Sequence, residues 1–287
     1  MRHLIIIISL LFLKGSIAAQ EQWNWQPLDT AYLVCQYEYS YPRIFSTSKD
    51  DMRLEIGRNI SKFYSRITFE YDSLFTTTEG RLQVSNKVKD ILRKTRNVSS
   101  KEEEMSILKE IPSQKTNSII YKNYPKGKIL VQDKVSTAHL KYEDDYKPQE
   151  WKILADTMNH LSYSCQKATC TWRGRDYVAW FTPEIPVNDG PMKFFGLPGL
   201  IVIVEDTENE YRFTLIGIQK ASSTIFLNAP LAAGVEVYSQ SSRETVLKEQ
   251  QKRLRNILRA NNRDFIQSGI TTDYTEEDIP EPLERDF

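Results

Sequence analysis

Histidine and cysteine are both scarce in this chain of 287 residues, which contains three of each. Structural and catalytic zinc sites are built mainly from these two residue types at characteristic spacings, and no histidine here stands at such a spacing from a cysteine. The sequence also lacks a P-loop, a dinucleotide fingerprint, an HExxH motif and a nucleophile elbow. It therefore predicts no metal, no cofactor and no recognisable catalytic set.

An excess of charge of one sign is missing as well. The chain has 38 basic and 38 acidic residues and a formal net charge of zero. Nucleic acids and anionic membranes select proteins with basic stripes or patches. Composition therefore gives no reason to expect a nucleic acid as partner.

No apolar run is long enough for the ~20 residues that span a bilayer. The longest, Leu4–Leu13, follows Arg2 and His3 and precedes small residues. This pattern is typical of a secretory signal peptide over residues 1–19, with cleavage after Ala18 or Ala19. A retained anchor is the alternative. After removal of the signal, the sequence predicts an exported chain without a transmembrane segment.

The three cysteines, Cys35, Cys165 and Cys170, would then enter a compartment where disulfides can persist. An odd number leaves at least one thiol free or paired with another chain. If residues 162–172 form one strand, Cys165 and Cys170 point to opposite faces and cannot pair without a bulge. Cys35 with either partner, or three reduced thiols, both remain open.

Alternating apolar and polar residues predict many strands, among them Thr30–Tyr39, Met52–Ile56 and Ile60–Tyr71. Turn sequences at 124–127 and 173–176 predict hairpins, and hairpins build antiparallel sheets. The fold class is therefore predicted as β-rich α+β with a curved antiparallel sheet.

Two segments have helical rather than strand periodicity. Residues 72–113 are predicted as a helical, mobile insertion, and residues 241–262 as a C-terminal helix on the surface. We expect a single β-rich domain over residues 20–268. The acidic tail, 269–287, has the composition of a disordered segment.

The connection between two predicted strands at 183–199 is unusually apolar. Such a segment either packs under its own sheet or offers a surface to a ligand. The candidate binding residues in and beside it are Trp180, Ile185, Met192, Phe194, Phe195 and Leu197. The predicted structural positions, where a turn or close packing is needed, are Gly174, Gly190, Pro191, Gly196, Pro198 and Gly199. Both uses of the segment remain open.

The same segment carries a family resemblance. It contains Gly196-Leu197-Pro198-Gly199-Leu200-Ile201, and Arg173-Gly174-Arg175 and Ala179-Trp180-Phe181-Thr182 precede it; MRLEIGRNISKFYS stands at 52–65. On these motifs the chain resembles the GLPGLI (Porph_ging) proteins of the Bacteroidetes. That resemblance implies an exported protein, in the periplasm or at the periphery of the outer membrane, that accompanies a TonB-dependent transporter. It implies no catalytic residues.

The strand pattern is also similar to the open half-barrel of lipoprotein carriers, a likeness of fold alone. Together these features favour a non-enzymatic binding or accessory protein for an apolar small molecule or lipid, or for an outer-membrane protein. Two alternatives remain. An envelope hydrolase, acting on peptides or lipids, would need His139 or His160 beside a serine or cysteine. A structural subunit of an envelope assembly would need a flat apolar patch.

Overall fold

The computed structural model describes residues 26–43, 46–96, 98, 100–227, 238–267 and 275–287. The signal peptide predicted at 1–19 lies outside these residues. The strands are β1 (Gln26–Arg43), β2 (Ser46–Gly57), β3 (Ser61–Ser65), β4 (Ile119–Lys122), β5 (Lys128–Val135), β6 (Ala138–Asp145), β7 (Lys152–His160), β8 (Tyr163–Trp172), β9 (Arg175–Thr182), β10 (Leu200–Asp206), β11 (Arg212–Leu227) and β12 (Ser239–Gln240). The α-helices are α1 (Arg66–Phe75), α2 (Thr78–Thr95), α3 (Lys101–Leu108) and α4 (Arg243–Gln267).

All the strands belong to one open sheet. Its order is β12-β6-β5-β4-β3-β2-β1-β11-β10-β9-β8-β7. The pairs with a defined register run antiparallel, except that β12 is parallel to β6. The predicted β-rich α+β class is therefore confirmed. The sheet is mixed rather than purely antiparallel, because the chain returns to its edge at β12 just before α4.

The sheet is strongly curved. In a flat sheet β6 and β9 would stand eight strands apart, about 38 Å at the usual strand spacing. Instead, Arg173 in the β8–β9 turn approaches Asp144 of β6, with 3.4 Å between Nη2 and Oδ1. This contact requires the two halves of the sheet to curl towards each other, as the sequence predicts.

Alternate side chains of the central strands form an aromatic core on the concave face, as the two-residue period of a strand dictates. Tyr39 of β1 stacks on Phe213 of β11 with 4.1 Å between ring centroids. Phe63 of β3 meets the same ring edge-on at 5.9 Å. Tyr37 is fully buried and its hydroxyl donates to the Ile201 carbonyl at 2.6 Å. Aromatic pairs of this kind contribute about 0.5–1.5 kcal/mol each beyond their burial.

The strand predicted at Ile60–Tyr71 is wrong in its second half. The strand ends at Ser65 and α1 begins at Arg66. The Ser65 hydroxyl accepts a hydrogen bond from the Thr68 amide at 3.1 Å, which satisfies a free N–H of the first helical turn. This cap overrides the strand preference of the β-branched residues that follow it.

Two compact units divide the chain. The larger comprises Asp29–Thr68, Gln114–Ile225 and Val237–Phe287. The smaller contains Phe69–Ser113, which includes the predicted helical insertion. Within the smaller unit, the Thr77 side chain caps α2 by accepting from the Gly80 amide, and Ile91 is buried. The single domain expected over residues 20–268 stays a prediction.

Helix α4 occupies the position of the predicted C-terminal helix and continues to Gln267. The Ser242 hydroxyl accepts from the Thr245 amide at 3.1 Å, which fixes the start of the helix. Among the described residues, no helix is both long and apolar enough to cross a membrane.

Candidate functional site

The apolar connection at 183–199 is packed into the core for much of its length. Phe194, Phe195 and Leu197 have 0%, 4% and 1% of their surface exposed. Phe194 meets the Tyr177 ring edge-on at 4.8 Å, and Phe195 stacks on Tyr146 at 4.3 Å. These contacts favour the structural alternative for the centre of the segment.

The other three candidate binding residues are partly buried against the same core. Lys167 Nζ lies 5.8 Å from the centre of the Trp180 ring. The Ile185 carbonyl accepts a hydrogen bond at 3.0 Å from the amide of Leu200, the first residue of β10. Met192 lines the cavity described below. Of the six candidates, Met192 is therefore the one placed at a possible ligand site.

The predicted structural positions form the turns and close contacts of this region. Gly174 lies in the β8–β9 turn with φ of +78°. Gly190 and Pro191 are buried, Gly196 is half-buried and Pro198 is exposed. Gly199 is the most constrained, because a Cβ atom on it would lie 2.1 Å from the Thr182 carbonyl oxygen.

Gly199→Ala is expected to destabilise the protein by more than about 3 kcal/mol, because the clash is with backbone that cannot rotate away. Urea unfolding would measure the loss. Gly127→Ala is the matched control: Gly127 also has positive φ, +78°, but has open space around it, so only the backbone strain of about 1–2 kcal/mol applies. Equal losses in the two variants would contradict the close-contact role of Gly199.

A buried lysine organises the next part of the site. Lys193 is 1% exposed and its ammonium donates to Asp144 and Glu284, each at 2.6 Å, and to the Tyr142 hydroxyl at 3.1 Å. Burial by itself lowers the pKa of Lys193, but the carboxylates of Glu284 and Asp144 outweigh it and the pKa is raised. Lys193 is therefore held in its charged form.

Glu284 belongs to the C-terminal tail, for which the composition predicts disorder. Residues 275–287 of that tail belong to the larger unit and contact its other segments. Glu284 is 2% exposed and accepts from Lys193 and, at 2.5 Å, from Arg243 Nε of α4. Burial raises the pKa of Glu284, but Lys193 and Arg243 lower it by a larger amount. The pKa of Glu284 is therefore below its usual value. The basic partners of Glu284 are both distant in sequence, and the disorder expected over residues 269–287 stays a prediction.

Arg175 holds the tail at a second point. Its guanidinium is 3% exposed and donates to Asp206 at 2.5 Å, to Glu210 at 2.6 Å and to the Pro282 carbonyl at 3.0 Å. The hydroxyl of Tyr177 donates to the Leu283 carbonyl at 2.7 Å. The tail is thus joined to β9 by hydrogen bonds from the Arg175 and Tyr177 side chains to its backbone carbonyls.

Three carboxylates, Asp206, Glu208 and Glu210, lie close enough together to hold a metal ion. The Arg175 guanidinium already donates to all three, since Nη1 lies 3.1 Å from Glu208. Arg285 pairs with Glu208 as well. The positive charge that such a group requires is therefore supplied by arginine.

A cavity of about 350 Å³ lies between the concave face of the sheet, α4 and the tail. Its volume falls at the lower end of the ~300–1,000 Å³ of small-molecule sites. Apolar side chains from the sheet line one wall: Tyr39, Met52, Phe63, Ile120, Val131 and Phe213. Apolar side chains from α4 and the tail line the other: Leu247, Leu254, Ile257, Pro280, Pro282 and Leu283.

The histidines and cysteines lie elsewhere. His160 Nε2 is 2.7 Å from the Leu215 carbonyl oxygen, and His139 meets the Tyr238 ring edge-on. In the part of the chain that the structure describes, neither imidazole ring is hydrogen-bonded to a serine or cysteine side chain; the contact between His160 and Cys165 is made by the His160 backbone. The three cysteines are buried and free, and burial raises the pKa of the Cys35 and Cys170 thiols to about 12. Such thiols are poor nucleophiles.

The sequence did not predict the cavity, nor the contacts of Lys193 and Arg175 that hold the C-terminal tail beside it. The one local signal was Lys193, a charged residue inside the apolar run from Met192 to Leu197. A lysine in such a run is either exposed or paired. Its partners lie 49 and 91 residues away, and no spacing rule connects them.

A family profile described as "Protein of unknown function (Porph_ging)" matches residues 174–203. This match spans the β8–β9 turn, β9, the apolar connection and the start of β10. It supports the family resemblance over that stretch of the chain. No curated protein matches the chain.

Two solved structures resemble the fold. They are described as "Structure of PNGF-II in C2 space group", with TM-score 0.47 and 12% identity, and "Structure of PNGF-II in P21 space group", with TM-score 0.46 and 12% identity. Each match covers 79% of this chain, and 33% and 34% of the other. The chain thus spans about a third of the length of those structures. What the comparisons establish is a short match to a family of unknown function in a β-rich protein.

Proposed function

We propose that this protein is an exported, non-enzymatic binding protein that holds a small apolar molecule in the cavity under α4. The single observation that carries the proposal is the cavity itself, of about 350 Å³, with apolar walls on both sides. Apolar side chains that line an open cavity stay in contact with water, which is unfavourable. An apolar ligand would remove that surface from water.

The cavity favours a small molecule over a peptide segment of an outer-membrane partner. A bound peptide needs an open edge or a groove along which its backbone can lie. Here the tail residues Pro280, Pro282 and Leu283 lie over the cavity on the side away from the sheet. The absence of an enzymatic activity is part of the proposal, supported by imidazole rings that contact the Leu215 carbonyl and the Tyr238 ring rather than a serine or cysteine side chain.

The test is titration of the protein with N-phenyl-1-naphthylamine, a neutral dye whose fluorescence rises in apolar surroundings. Wild-type protein is expected to bind the dye at one saturable site. Val131→Phe should abolish that binding, because Val131 is 1% exposed and lines the cavity, so a phenyl ring there takes up ligand volume. Leu254→Trp, from the α4 side, should act in the same way.

Leu130→Phe is the matched control. Leu130 precedes Val131 on β5, is also buried and points to the opposite face of the sheet. It should bind the dye like the wild type. Equal binding by all variants would place the dye outside the cavity, and wild-type protein that binds no dye and carries no apolar ligand in native mass spectrometry would overturn the proposal.

A further inference from the structure

Basic side chains collect at one end of the cavity. Successive strands from β1 to β5 are antiparallel, so β4 runs opposite to β1 and β5. The end of β1, the start of β4 and the end of β5 therefore lie on the same side of the sheet, where these strands terminate. Arg43 is the last residue of β1, Lys134 the penultimate residue of β5, and Lys115 lies in the segment that leads into β4. Arg253 reaches the cavity from α4, and all four residues line it.

Among the described residues the four cations lack close acidic partners: Arg253 interacts electrostatically with Asp133, but beyond ion-pair distance. Lys134 Nζ donates to the Gln114 amide oxygen at 3.3 Å, and within the described residues none of the four forms an ion pair. The buried cations Lys193 and Arg175, by contrast, each pair closely with carboxylates. The four cations at this end of the cavity therefore leave their charges available to a ligand.

Both acidic residues that line the cavity, Asp133 and Glu284, already accept hydrogen bonds from other side chains. Asp133 is 4% exposed and accepts from the Ser118 hydroxyl and, at 2.9 Å, from the Gln250 amide. Glu284 is held by Lys193 and Arg243, as described above. The lining therefore carries five basic and two acidic side chains, in a chain whose formal net charge is zero.

We propose that the ligand is a single-chain amphiphile with an anionic headgroup, a carboxylate or a phosphate. Its apolar chain would lie between the aromatic wall of the sheet and α4, and its headgroup would lie among Arg43, Lys115, Lys134 and Arg253. This inference rests on the proposed function and adds the charge of the ligand. A cavity walled by apolar groups and bordered by unpaired cations complements both halves of such a molecule.

The experiment compares four ligands that share one apolar chain: decanoate, decyl phosphate, decanol and decylamine. Calorimetric titration of the full chain, below the concentrations at which these compounds aggregate, gives each dissociation constant. We expect at least one of the two anionic ligands to bind about tenfold or more tightly than decanol, the size expected for charges at a partly wet rim, and decylamine to bind most weakly. The anionic preference should shrink as salt screens the rim.

The variant Lys115→Met/Lys134→Met keeps the apolar stems and removes two charges. It should bind the anionic ligand about tenfold more weakly and decanol as before. Lys152→Met/Lys220→Met changes the net charge equally at two exposed lysines away from the cavity, and should leave every affinity unchanged. A uniform loss in both double variants would contradict the placement of the headgroup.

The outcomes separate the two proposals. If decanol binds as tightly as the anions and Val131→Phe abolishes all binding, the cavity is a ligand site and the inference about charge is wrong. Tightest binding by decylamine would also overturn it. If none of the four ligands binds, the proposed function fails together with the inference.

Discussion

Lys193→Met is expected to lower the free energy of unfolding by about 3–5 kcal/mol, the usual cost of removing one partner of a buried ion pair. Methionine fills much of the space of the lysine stem, so the loss reports on charge rather than on volume. Glu284 and Asp144 would be left in the interior, 2% and 11% exposed at their side chains, without the ammonium that now lies 2.6 Å from each. Equilibrium unfolding in urea measures the loss.

The control for this prediction is Lys128→Met. Lys128 also pairs with an aspartate, Asp145, at 2.8 Å, but the two side chains are 45% and 53% exposed. Removal of an exposed pair should leave the unfolding midpoint unchanged within error. Similar midpoints for Lys193→Met and Lys128→Met would contradict the structural role assigned to the buried network.

Deletion of residues 280–287 should destabilise the protein by more than about 3 kcal/mol, because it removes Glu284 from Lys193 and leaves buried donors without acceptors. Those donors include the hydroxyls of Tyr177 and Tyr211, which donate to the Leu283 and Glu281 carbonyls. The deletion also removes part of one wall of the cavity, namely Pro280, Pro282 and Leu283. Urea unfolding gives the stability, and a rise in the fluorescence of an apolar dye reports the exposed concave face.

Deletion of Phe287 alone is the matched control for the tail. Phe287 is 36% exposed, and its removal should change the free energy of unfolding by less than about 1 kcal/mol. A loss of that small size after deletion of 280–287 would mean that the tail does not stabilise the fold.

The sheet could be predicted from the sequence because its signals are local. Alternation in β1, the turn at 124–127 and the turn at 173–176 each report on neighbouring residues, and antiparallel pairing follows from them. Alternation also places Tyr37 and Tyr39 on one face. The strand expected at Arg66–Tyr71 is wrong because a serine cap and a strand preference compete within a few residues.

The cavity could not be predicted, because its walls come from distant parts of the chain. Val131 of β5, Phe213 of β11, Leu254 of α4 and Leu283 of the tail meet only after the sheet curves. The tail itself reads as disordered by composition, since its acids stabilise the fold only through partners such as Lys193 and Arg243. The apolar connection at 183–199 was recognised as unusual, yet its use in the core depends on the same curvature.

The proposed function requires the cavity to hold a small apolar ligand. The most direct measurement is a crystal structure of the protein with ω-bromodecanoate, in which the anomalous signal of bromine marks the end of the chain. We predict a bromine peak inside the cavity, between Val131 and Phe213 of the sheet and Leu254 of α4. Bromine found on the outer surface alone, or an empty cavity at ligand concentrations that saturate binding in solution, would contradict the claim.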